Sequence, residues 1–78
     1  MQIYLVVAEH YNVPGIITKA FRRQEDAEAE CLELATIMLE DAKLPHADSK
    51  NWRGCVEVLQ DMHGAAHCYV ECEEVDVR

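Results

Sequence analysis

Basic side chains are scarce in this sequence: seven Lys and Arg stand against 15 Asp and Glu, a formal charge of −8. Affinity for nucleic-acid phosphates comes largely from cations displacing counterions, so direct binding to DNA or RNA is not expected. Long apolar runs are missing as well. No stretch approaches the roughly 20 residues that a helical membrane span needs, so no membrane partner is expected. Met1 to Ala8 offers no basic n-region, no full-length apolar segment and no small-residue cleavage site, which argues against export. Three glycines and two prolines punctuate the chain, and no repeat, linker or low-complexity segment appears. The cysteines, Cys31, Cys55, Cys68 and Cys72, lack a framework spacing, and without an export signal they read as reduced thiols in a cytosol.

What is present bounds the fold. A chain of 78 residues, half of them apolar, is expected to form a single soluble globular domain over 1–78. At that length it can build at most two packed layers. Residues 2–9, QIYLVVAE, are β-branched or aromatic and apolar on both phases, the pattern of a central strand. Pro14 and Gly15 suit a type II turn, so the strand 16–21, IITKAF, is predicted to return as a hairpin. A helix follows from Gln24, with Ala27, Cys31, Leu34, Ala35, Met38 and Ala42 at i, i+3, i+4 and i+7 spacing. Leu32 and Leu39 flank that stripe, and Pro45 is predicted to stop the helix at Leu44.

A second helix is predicted within 49–64, capped by Ser49 and ended by Gly64, with Trp52, Cys55, Val56, Leu59 and Met62 in one arc and Gly54 outside. The last strand, HCYVECEEVDV, alternates through Cys68, Val70 and Cys72. Its apolar phase then shifts to Val75 and Val77, which predicts a bulge near Glu73 and Glu74 or departure from the sheet. The order ββααβ is an α+β fold: a three-stranded, mainly antiparallel sheet with two helices on one face. That leaves a sheet face uncovered, with Tyr4, Val6 and Tyr69 expected to line it and to offer a docking surface or a homodimer contact.

Catalytic and metal chemistry find little support. His63, His67, Cys68 and Cys72 are zinc-type ligands, but there is no C-x₂-C pair. In a strand, Cys68 and Cys72 would lie about 13 Å apart, too far for shared bonds near 2.3 Å. Cys31 sits in the apolar stripe, and no Ser, Cys or His has a strained turn or oxyanion loop beside it. His10 and His46 fall in predicted loops. No enzyme activity, cofactor or metal is expected.

The charge pattern is more informative. Between Gln24 and Lys43 there are seven acids and no cation before the last residue. Asp26, Glu30, Glu33, Glu40 and Asp41 fall on the helix side away from the apolar stripe, with Ile37 bordering them. Like charges at i,i+4 or i,i+3 spacing cost about 0.2 to 0.5 kcal/mol each, a small but one-sided burden. Glu71, Glu73, Glu74 and Asp76 repeat the pattern near the C-terminus, and no Lys or Arg lies between Arg53 and Arg78. Such segregation produces a field that attracts a basic surface, although acids on a helix exterior also serve solubility.

The opening MQIYLVVAEH, the segment AFRRQEDAEAEC and the ending HCYVECEEVDV resemble, as a layout, small phage and prophage proteins that include anti-CRISPR proteins. The resemblance implies a host-directed inhibitor in the bacterial cytosol. Its acidic residues would occupy the basic nucleic-acid surface of a CRISPR effector complex, through the helix cluster, the C-terminal cluster or both. Two alternatives stand beside it: an interaction or dimerisation module whose acidity serves solubility, and a zinc-binding regulator.

Overall fold

A computed structural model of the chain describes residues 1–45, 50–64 and 66–77. Five elements follow one another as β1 (Gln2–His10), β2 (Val13–Phe21), α1 (Gln24–Asp41), α2 (Trp52–His63) and β3 (Tyr69–Asp76). They form the expected α+β fold in the order ββααβ. The sheet runs β2-β1-β3 and is antiparallel at both junctions. The apolar strand β1 is therefore central, and β2 and β3 are both edges.

Residue parity decides which sheet face is covered. Val6 and Ala8 are fully buried beneath the helices, and Val70 of β3 and Cys68 just before it join them. Tyr4 shares their phase and packs against the same core. Ile3, Leu5 and Val7 point the other way, alongside Ile16 across from Glu9 on the β2 side and Tyr69, Glu71, Glu73 and Val75 on the β3 side. Of the three residues expected on the open face, Tyr69 is there, whereas Tyr4 and Val6 are not. Strand β1 is apolar on both phases, so hydropathy alone did not orient it.

The stripe on α1 is buried as its spacing predicts: Ala27, Cys31, Leu34, Ala35, Met38 and Leu39 face the sheet and α2. Truncating a side chain such as Met38, 1% exposed, to alanine removes about 2 to 5 kcal/mol of stability by the usual core rules. On α2 the buried residues are Trp52, Val56 and Leu59. Met62 belongs to the predicted arc but stands 55% exposed, because the arc is a little wider than the neighbouring layer. Residue Ser49 lies outside the described residues, as does His46. Asn51 occupies the N-cap of α2, and its side chain lies over Gly54, 2.6 Å from where a Cβ would stand.

Three boundaries depart from sequence expectation for local reasons. The hairpin turns at Tyr11 and Asn12, and Pro14 and Gly15 lie inside β2. The register jumps there, from Glu9 opposite Ile16 to His10 opposite Val13. Gly15 takes φ 108°, so the Pro-Gly pair builds a bulge rather than the turn. The expected irregularity at Glu73 and Glu74 is absent: β3 keeps register from Tyr69 to Asp76, with Val75 opposite Ile3 on the open face. The phase shift in the sequence marks a change of apolar face within one regular strand.

Helix α1 ends at Asp41, before Pro45 acts. Leu44 N–H donates to the Leu39 carbonyl at 2.8 Å and Lys43 N–H to that of Glu40 at 2.9 Å, the paired bonds of a Schellman motif. Leu39 and Leu44 line one apolar cleft with Cys55 and Val58 of α2. Lys43 occupies the left-handed position at φ 61°, which glycine fills more often. The Lys43→Gly variant should therefore gain about 0.5 to 1 kcal/mol, the relieved Cβ strain exceeding the added unfolded-state entropy. Thermal unfolding checks this: Tm should rise by roughly 2 to 8 °C, and an unchanged or lower Tm would contradict the cap assignment.

Candidate functional site

The acids of α1 are not left without partners; the cations arrive from other elements. Lys19 Nζ, reaching over from β2, donates to Glu30 Oε1 at 2.8 Å. The side chain of Glu30 is only 14% exposed there. The Lys19 ammonium is held protonated above its ordinary range by that hydrogen bond first and by the charges of Glu30 and Glu33 next. Glu28, on the flank towards α2, accepts from Trp52 Nε1 at 2.8 Å and from Arg53 at 3.2 Å. The Arg53 guanidinium lies 4.3 Å over the Trp52 ring. Glu25 pairs with Arg23.

Asp41 is engaged as well. Its Oδ2 lies 2.6 Å from His10 Nε2, while Asn12 N–H donates to His10 Nδ1 at 2.9 Å. Because Nδ1 accepts a backbone proton, the ring hydrogen sits on Nε2 and is donated to the carboxylate. Asp26, Glu33 and Glu40 stay exposed on the outer side of α1 and Ile37 is 43% exposed beside them. Of the five acids expected on that face, Glu30 is thus tied to β2 and Asp41 to β1.

The C-terminal acids divide by parity. Glu71 and Glu73 lie on the open sheet face opposite Val7 and Leu5, whereas Glu74 and Asp76 are on the helix-side phase opposite Tyr4 and Gln2. Asp76 Oδ1 is 3.7 Å from the N-terminal ammonium. On the open face Glu9, Glu71 and Glu73 border a strip of Ile3, Leu5, Val7 and Tyr69, and Ile16 stands 63% exposed beside it. Among the described residues of the three strands the one Lys or Arg is Lys19, and it lies on the helix side, opposite Val6. The α1 row and this sheet face are on opposite layers, so the two acidic runs do not form one continuous surface.

Glu9 and the Ile3, Leu5, Val7 strip were not singled out by sequence reasoning. A partial signal was available in β1 itself: that phase ends on Glu9, and the Tyr69 phase of β3 carries Glu71 and Glu73, and acids mark the solvated side of a one-sided sheet.

The cysteines and histidines are dispersed through the packing. Cys68 Sγ contacts Met38 Sδ at 3.9 Å, and the Cys31 thiol of α1 and the Cys72 thiol of β3 are close enough to influence each other's ionisation. His63 stacks on Tyr11 at 3.9 Å with rings 3° apart, and Tyr11 stacks on His10 at 4.6 Å. Buried His63 Nε2 has no hydrogen-bond partner among the described residues. No three His, Cys, Asp or Glu side chains are arranged to hold a metal among the described residues.

Burial pushes the Cys31 thiol up to about 12, with Cys72 and Glu28 adding to the shift. Burial likewise raises Cys68 and Cys72. The folded state thus favours protonated thiols, a stabilisation complete below the ordinary thiol value of 9.0 and lost as pH climbs towards 12. Denaturant midpoints should fall steadily from pH 9 upwards, and Cys31→Ala should flatten that fall while lowering stability at neutral pH. A midpoint independent of alkaline pH would contradict the buried-thiol arrangement.

Comparison of the chain with protein-family models, with curated proteins and with solved structures finds no significant match in any of the three.

Proposed function

We propose that this protein is a non-enzymatic inhibitor that binds a basic protein surface through its open sheet face. The effector of a bacterial CRISPR system is the partner its layout suggests. The observation that carries the reading is the distribution of charge on that face. Glu9, Glu71 and Glu73 border an apolar strip with no cation among them, whereas Glu25, Glu28, Glu30 and Asp41 of α1 already have partners.

An apolar centre with a charged margin is how protein interfaces divide their work. The strip excludes water, and the margin sets orientation, approach rate and specificity. A surface that normally holds nucleic-acid phosphate supplies the complementary Lys and Arg. Occupying it would exclude the nucleic acid by direct competition. Catalysis has no part in this reading. The alternative interaction module would use the same face but draw on its apolar strip alone, and ionic strength separates the two because screening weakens charge pairing and spares apolar docking.

The test is competition between this protein and target DNA for a purified CRISPR effector, at low and high salt. Inhibition should weaken as salt rises. The paired variant Glu71→Lys, Glu73→Lys should lose at least about tenfold in inhibitory potency, equivalent to 1.4 kcal/mol. Asp26→Lys with Glu33→Lys should lose less. Glu30→Lys is a poor probe, since it would set two ammonium groups together at Lys19. Undiminished inhibition by a folded Glu71→Lys, Glu73→Lys protein would rule out the sheet face as the binding surface.

A further inference from the structure

We infer that the free edge of β2 is a self-association surface, where two copies pair antiparallel about a two-fold axis normal to the sheet. The inference stands independently of the inhibitor reading, because it concerns the opposite edge from Glu71 and Glu73.

The two sheet edges are built differently. Strand β3 carries Glu71, Glu73, Glu74 and Asp76 within eight residues, and charge of one sign along an edge opposes pairing with another copy. Strand β2 is guarded differently: its Pro14–Gly15 bulge is confined to its first residues, and its one charged residue, Lys19, is paired with Glu30. No acid occurs between Glu9 and Glu25, and every β2 residue before Phe21 is exposed. Val13, Ile16 and Ile17 are 55%, 63% and 37% exposed. Beyond the bulge at Pro14 and Gly15, the run Ile16–Phe21 pairs with β1 without interruption. Its outward backbone N–H and C=O groups are therefore in regular order for a further strand.

The flank beside this edge is apolar too. Val13, Ile17, Leu34, Ile37 and Met38 line a cleft of about 220 Å³ between β2 and α1, bounded by His10 and Asp41. Further along the strand, Lys19 is paired with Glu30 of α1. The strand itself carries no acid, so at the β2 backbone two copies of a chain with net charge −8 meet without like charges directly opposed.

Charge complementarity selects a second copy as the occupant. Arg22 follows the Phe21 end of β2, while Asp41, held by His10 on one side but with its side chain still 53% exposed, bounds the cleft at the Val13 end. A two-fold axis near Thr18 reverses the partner strand and brings each basic end to the other copy's Asp41. The same axis keeps both helical layers on one side and apposes the two clefts. The product is a closed, isologous six-stranded sheet, β3-β1-β2-β2-β1-β3.

The test is the mass and amide exchange of the full chain as concentration rises. Sedimentation equilibrium should pass from the 8.9 kDa chain to twice that mass. Amides of Ile16–Phe21 should gain protection in parallel, and those of β3 should not. Thr18→Glu, which places two carboxylates opposite each other at the axis and outside the core, should remain monomeric with unchanged circular dichroism. Arg22→Glu provides a second variant away from the core, and it should weaken dimerisation, with partial recovery when combined with Asp41→Arg. A chain that stays monomeric at every concentration would overturn the inference. So would growth beyond a dimer, or concentration-dependent protection at β3 instead of β2.

Discussion

The close seating of α1 across β1 is the contact on which the other features of the fold depend. Ala27, Cys31 and Ala35 on the helix and Val6 and Ala8 on the strand have no exposed surface, and small side chains on both sides let helix and sheet approach closely. That contact fixes which phase of β1 faces inward. It also places α1 within reach of Lys19 on β2 and His10 at the end of β1, so two helix acids find partners far away in sequence. A larger residue at Ala27 or Ala35 would push the layers apart and weaken both links.

The two helices cover one sheet face, and among the described residues no element covers the other face or pairs with the outer edge of β2 or β3. Each is finished in a different way. The face combines an apolar strip with Glu9, Glu71 and Glu73; β3 is charged along its edge; β2 is apolar and free of acid. Net charge alone gives a uniform picture of an acidic protein. The structure resolves it into an apolar face bordered by Glu9, Glu71 and Glu73, one acidic edge and one edge free of acid.

Much of this architecture is legible in the sequence. The α1 stripe from Ala27 to Leu39 has a strong helical period, and the order ββααβ follows from period and punctuation. The orientation of β1 was not legible, because an apolar residue at every position from Ile3 to Ala8 satisfies either phase. Pro14 and Gly15 pointed to a turn, yet two-residue hairpin geometry at Tyr11 and Asn12 displaced them into a bulge. Pro45 was a valid stop signal that went unused, since the Lys43 cap ends the helix earlier.

The candidate site was half legible. Glu71 and Glu73 stand out in sequence as acids of a strand, but their separation from Glu74 and Asp76 depends on register. The partners of Glu30 and Asp41 lie 11 and 31 residues away, so a helical wheel treats both as unpaired. A helix considered by itself overstates its free charge whenever its neighbours carry the cations.

The most direct measurement of the central claim is an NMR titration of the labelled full chain with an arginine-rich peptide at low salt. Amide shifts should cluster on Leu5, Val7 and Glu9 of β1 and on Tyr69, Glu71 and Glu73 of β3, and fade as salt is added. Shifts confined to Asp26, Glu33 and Glu40 on α1, or scattered without preference over all acids, would contradict the assignment of the open sheet face as the binding surface.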